Sequence, residues 1–134
     1  MFYAADADEF VDAIESDDLD LSEVVRATAD FSLHIGEDAL DEMLAAACEH
    51  VKTGRIAWED AVGADEPIAD SVFTMSPAFV EVFASLSAVT FVPTLRPWLG
   101  ETLTPDFENA VGDLIEVCKC AKVEQLDVIF ECDV

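Results

Sequence analysis

The sequence predicts an α+β domain over residues 1–134, mostly helical with about five to six helices, and a small sheet formed by the N-terminal segment, a strand at 88–93 and the C-terminal strand. Three observations predict it. Apolar residues recur at three- and four-residue steps through most of the chain, the period of a helix with one buried face. The C-terminal segment switches to strict alternation, with Leu126, Val128, Phe130, Cys132 and Val134 set against Asp127, Ile129, Glu131 and Asp133, the pattern of a strand with one buried face. A hydrophobic fraction of 52% supplies a core despite the charge, so acidic disorder is not expected.

The elements follow in order. Met1 to Ala4 is apolar enough for a short strand, and Asp6 with Glu9 forms an Asp-x-x-Glu cap for a helix that buries Phe10, Val11 and Ile14. Asp17 and Asp18 end it. Asp20 and Glu23 cap a second apolar rhythm through Leu21, Val24, Val25, Phe31 and Leu33, which Gly36 stops. Leu40, Met43, Leu44, Ala47 and Val51 give the clearest helix, ending near His50, Lys52 and Gly54. A weaker helical stretch spans Ile56 to Val62, and Asp65-Glu66-Pro67 reads as a surface loop. Ser76 caps a helix with Pro77 at its first position, carrying Phe79, Val80, Val82, Phe83 and Leu86 into the core. Ala88 to Val92 is β-branched and aromatic and reads as a strand that Pro93 and Pro97 terminate. Thr104 and Pro105 open a long helix that buries Phe107, Val111, Leu114 and Cys118, with Lys119 and Lys122 near its C-terminus. The two chain ends then meet in the sheet.

Charge bounds the partners. Lys and Arg number 6 against 30 Asp and Glu, a net charge of -24. Direct contact with nucleic acid or with an anionic membrane is disfavoured, because both need Lys and Arg against phosphates; a basic protein is the natural complement. The acids are unevenly spread. Residues 1–70 hold 20 of them against Arg26, Lys52 and Arg55, while residues 71–134 hold 10 against Arg96, Lys119 and Lys122. Met1 is followed by Phe2, Tyr3, Asp6 and Asp8, the opposite of a cationic signal-peptide start, and the apolar run from Ala78 to Val92 is interrupted by Glu81, so a cytoplasmic protein is expected.

Motifs for chemistry are sparse. His34 and His50 are the two available bases, no Gly-x-Ser-x-Gly elbow accompanies them, and the 5 glycines form no phosphate-cradling loop. Cys48, Cys118, Cys120 and Cys132 lack paired metal-ligand spacing and read as reduced, mostly buried thiols; no metal and no cofactor is expected. Asp17-Asp18-Leu19-Asp20 supplies only a fragment of a calcium loop. Glu81 sits in an apolar helix, where burial would raise its pKa, and marks either a catalytic acid or that helix's exposed edge.

The expected function is therefore an acidic inhibitor, not an enzyme: an immunity protein for a nuclease-like toxin, or a phage-type, anti-CRISPR-like antagonist that imitates nucleic acid and blocks a basic protein. Its expected interface is an anionic helical surface of Asp8, Asp12, Glu15, Asp17, Asp18, Asp20, Asp38, Asp41, Glu42 and Glu49. Two alternatives stand beside it: a halophilic cytoplasmic protein whose acidity is a salt adaptation, and a small enzyme using Glu81 or a Cys and His pair. Trp58, Trp98 and Phe91 would add a contact surface if exposed.

Overall fold

The computed structural model describes residues 2–15, 24–29, 37–54, 56, 58–61 and 72–131. Four strands, β1 (Phe2–Ala5), β2 (Ala27–Ala29), β3 (Val72–Thr74) and β4 (Asp127–Glu131), form an antiparallel sheet in the order β2-β1-β4-β3. The helices are α1 (Ala7–Glu15), α2 (Glu37–His50), α3 (Trp58–Ala61), α4 (Pro77–Ala84), α5 (Ala88–Phe91), α6 (Arg96–Leu99) and α7 (Pro105–Glu124), with 3-10 turns at Val92–Leu95 and Gly100–Thr102. The α+β class holds, and the strands nearest the two chain ends are the central pair: Phe2 lies opposite Phe130, and Tyr3 opposite Ile129.

Residues alternate across β1, and the sheet is covered on both faces. Phe2, Ala4, Val128 and Phe130 join the main core with α2, α3, α4, α5, α6 and α7. Tyr3, Ala5 and Ile129 point the other way and meet Phe10 of α1, with Val24 and Val25 alongside. Ile129 is fully buried, so β4 has two buried faces where its sequence alternation implied one. The reason is α1: a helix placed on the second face turns a surface position into core. Rings organise the larger side, with Phe2 stacked on Phe79 at 5.9 Å, Phe79 against Phe83 at 4.7 Å and Phe83 edge-on to Phe91 at 6.4 Å.

Helix starts form where the caps foretold them. The Asp6 carboxylate accepts from the Asp8 and Glu9 amides at 3.0 and 3.2 Å, Ser76 Oγ accepts from Phe79 N at 3.4 Å, and Thr104 Oγ1 accepts from Phe107 N at 3.2 Å. Asp127 Oδ2 accepts from Ala7 N at 3.1 Å, tying the first turn of α1 to β4. The end of α2 differs from its sequence reading. Lys52, at φ 58°, takes the left-handed position, while Thr53 N donates to Cys48 O at 3.0 Å and Lys52 N to Glu49 O at 3.1 Å, so Gly54 has no capping part.

Two segments correct the sequence reading. Residues 88–93 are not a strand: Ala88–Phe91 is helix and Val92–Leu95 a 3-10 turn, with Phe91, Leu95 and Leu99 buried at four-residue spacing. Pro93 and Pro97 lie in first turns, where a missing N–H costs nothing. Phe91 is fully buried and offers no contact surface. The third and fourth strands of the sheet are instead β2, inside the expected second helix, and β3. Residues 20–23 and 30–36 of that stretch, including Asp20 and Gly36, and the Asp65-Glu66-Pro67 loop lie outside the described residues.

Candidate functional site

On α1 the exposed carboxylates are Asp8, Glu9 and Asp12, with the capping Asp6 just before them. Asp8 and Asp12 are four residues apart and share a face; Glu15 follows three residues on, placed by its backbone. On α2, Glu42 and Glu49 are exposed, seven residues apart, and Asp41 is half-buried; Asp38 is placed by its backbone. Asp17, Asp18 and Asp20 lie outside the described residues.

These two groups are not brought together. Phe10 of α1 packs on the Tyr3 and Ile129 face of the sheet, whereas Leu40, Met43 and Leu44 of α2 pack into the core on the Phe2 and Phe130 face. The sheet lies between them. Among the described residues, the acids expected between residues 7 and 50 thus lie on two helices that pack into different core clusters.

The half of the chain with fewer acids also displays them. Asp106, Asp113, Glu116 and Glu124 are exposed on α7, at spacings of seven, three and eight residues, opposite the buried Val111, Leu114 and Cys118. The seven-residue step from Asp106 to Asp113 on the polar side of an amphipathic helix was the signal for them, and counting acids per half concealed it. Asp60 and Glu101 are exposed as well.

The titratable groups with other possible roles are arranged as follows. Glu81 is the exposed edge of α4: its side chain is 60% exposed and its Oε2 accepts from Lys122 Nζ at 2.9 Å. An exposed pair of this kind contributes about 0–1 kcal/mol. The pair sits at a groove of about 330 Å³ between α4, the end of α7 and β4, whose apolar lining includes Met75, Val80, Leu126 and Val128. Burial pushes the Cys118 thiol far above its ordinary value. Cys120 Sγ donates to Glu124 Oε2 at 2.9 Å; that bond first, then burial and the Glu124 charge, push its pKa up to about 11 against the opposing effect of Arg26. Cys48 is buried. His50, at the exposed end of α2, stands edge-on to Phe91 at 5.5 Å. His34 and Cys132 lie outside the described residues. Among the described residues no group of three or more His, Cys, Asp or Glu is placed to hold a metal ion, and no single helix is long and apolar enough to cross a membrane.

The fold and surface together define an α+β protein with carboxylates on both sides of a two-faced sheet. No family model matches the chain, and no curated protein and no solved structure is similar to it.

Proposed function

We propose that this chain is a non-enzymatic domain whose acidity is an adaptation to concentrated salt. The observation that carries the reading is the dispersal of exposed carboxylates: α1, α2, α4 and α7 each present them, on both sides of the sheet. A net charge of -24 on 134 residues opposes compaction at low ionic strength, and molar salt shortens the screening length to about 3 Å. Salt also strengthens the burial of the apolar core. Two further features support the non-enzymatic part: the described thiols with shifted pKa values are held protonated, contrary to what a thiolate nucleophile needs, and Glu81 is exposed and paired with Lys122. Thermal melts across a KCl series test the reading. The expected melting temperature rises steeply with salt and the chain is unfolded in dilute buffer; a melting temperature that stays level or falls as salt is added overturns it.

A second reading is favoured by one local feature. Asp6, Asp8, Glu9 and Asp12 are exposed within seven residues at the start of α1, and residues 6–23 contain nine acids and no base. In this reading α1 meets a basic protein partner, such as a nucleic-acid-acting enzyme that the chain inhibits, over a narrower surface than the sequence suggested. Asp8→Lys with Asp12→Lys then abolishes retention of that partner from native lysate, while the same change at Asp106 and Asp113 leaves it intact. Equal effects at the two sites remove the case for α1.

A further inference from the structure

We infer that α1 is a salt-gated cover: as salt falls it leaves the sheet before the main core opens, uncovering Tyr3 and Ile129. The inference deepens the salt-adapted reading and rests on it.

The described cations all serve the other side of the sheet. Lys52, Arg96, Lys119 and Lys122 stand on or beside α2, α6 and α7, which pack into the Phe2 and Phe130 core. The Arg26 charge, at the entry to β2, reaches the Cys120 thiol of α7. On that side Lys122 offsets Glu81 directly. Among the described residues α1 has no such relief: Asp8, Glu9 and Asp12 are exposed on it and its last turn carries no base.

The hold on α1 also sets like charges together. Asp6 is the single residue between β1 and α1, and its carboxylate accepts from the Asp8 and Glu9 amides. The Asp127 carboxylate of β4 accepts from Ala7 N at 3.1 Å, so two carboxylates bond to adjacent amides of one helix start. Asp8 and Asp12 add a like-charged pair four residues apart. Molar salt screens both pairs, and as it is withdrawn their repulsion opposes docking while apolar burial weakens.

Opening stays local because β1 does not depend on α1. The strand is paired on both edges, with β2 and β4, and Phe2 and Ala4 enter the main core. A nine-residue helix released from the sheet melts, since helices shorter than about 12–15 residues are marginal alone. Release and melting are thus one step, with Asp6 as the hinge. Phe10 leaves with α1, and its ring, 5.1 Å from that of Tyr3, no longer covers Tyr3 and Ile129.

Each side of the sheet carries its own reporter. Tyr3 is the only tyrosine of the chain, so 3-fluorotyrosine labelling gives one fluorine resonance on the α1 side. Cys48 and Cys118 are buried in the main core, and their alkylation, followed site by site, reports its opening. As the full chain is taken from molar to dilute KCl, the fluorine resonance is expected to reach its unfolded position at a salt concentration about twofold or more above that at which the two thiols react. Asp12→Lys turns the Asp8 repulsion into an attraction and lowers the fluorine midpoint, narrowing the gap. Asp113→Lys makes the same charge change on α7 and shifts that midpoint less. Coincident transitions, thiols that react before Tyr3 responds, or equal shifts in the two variants overturn the inference. A Tyr3 transition with thiols protected down to dilute buffer upholds the cover while removing the salt-adapted reading, and a chain in which neither reporter responds overturns both.

Discussion

Among the described residues, the two faces of the sheet are covered unequally. On one, Phe2 and Phe130 share a core with six helices and a chain of stacked, tilted and edge-on rings that runs through Phe79 and Phe83 to Phe91. On the other, Tyr3, Ala5 and Ile129 are covered by α1, whose Phe10 ring lies 5.1 Å from that of Tyr3. Among the described residues the second cluster holds four buried ones. The same central strands thus serve a thick core and a thin one, and the thin one is held down by a nine-residue helix bearing like charges four residues apart. Cooperativity is expected to differ across the sheet accordingly.

The largest expected effect tests that inequality directly. Phe83→Ala empties the centre of the thick side and costs about 3–5 kcal/mol, enough to threaten folding of a domain this size. Phe10→Ala costs about 3 kcal/mol or less, because α1 can settle toward the sheet and fill part of the space. Urea midpoints measured in molar KCl give both values, and native-state hydrogen exchange shows how far each loss spreads. Phe10→Ala raises exchange in α1 while α7 stays protected; Phe83→Ala raises it throughout. Equal costs and equal spread would mean that the two faces form one cooperative unit.

Capping sharpens the same contrast at a lower level. Asp6 accepts two amides and places a negative charge at the start of α1, whereas Thr104 accepts one at the start of α7. Asp6→Ala is expected to cost about 1–2 kcal/mol and Thr104→Ala about 1 kcal/mol, with Asp6→Asn retaining most of the capping. At the lowest salt at which the chain is still folded the Asp6 variants lose less, since removing one of 30 acids relieves repulsion. A loss at Asp6 that is independent of salt would show that the cap outweighs the surrounding field.

Those caps were legible because they are local: Asp6-x-x-Glu9, Ser76-Pro77 and Thr104-Pro105 each write a helix start into four residues or fewer, and all three formed. What could not be read locally was what lay across from a segment. Val89-Thr90-Phe91-Val92 has the composition of a strand, but Phe91, Leu95 and Leu99 at four-residue spacing give it a core-facing helical row, and packing overrode propensity. β2 is three residues long, too short to show a period. Ile129 sat among the polar positions of an alternating strand and was buried by a helix from the other end of the chain. The placement of the acidic helices was hidden for the same reason. Each helix face was visible in the sequence, but the sheet that separates α1 from α2 was not.

A smaller gain is expected where α7 gives way to β4. Gln125 holds a left-handed conformation at φ 58°, ψ 45°, and Leu126 N donates to Ala121 O at 2.8 Å across it. A Cβ there is strained, so Gln125→Gly is expected to stabilise the chain by about 0.5–1 kcal/mol, read as a shift in urea midpoint at constant slope. No gain would mean that Gln125 contributes a contact that offsets its backbone.

The smallest effect concerns Cys120, one turn before that junction. Its S–H bond to Glu124 favours the neutral thiol, as do burial and the neighbouring carboxylate, and the pKa rises from 9.0 to about 11. Because the folded value lies above the unfolded one, the stabilisation is complete below pH 9 and is lost as pH climbs through about 11. Cys118 shifts in the same direction through burial, so unfolding becomes easier in alkali for both thiols. Alkylation followed site by site by peptide mapping is expected to reach half its maximal rate at Cys120 near pH 11. Glu124→Gln removes the charge and weakens the acceptor, moving that midpoint back toward the ordinary thiol range of about 8.5. An unshifted midpoint in Glu124→Gln would leave burial as the cause, and would place Cys120 deeper under its neighbours than its half-buried side chain indicates.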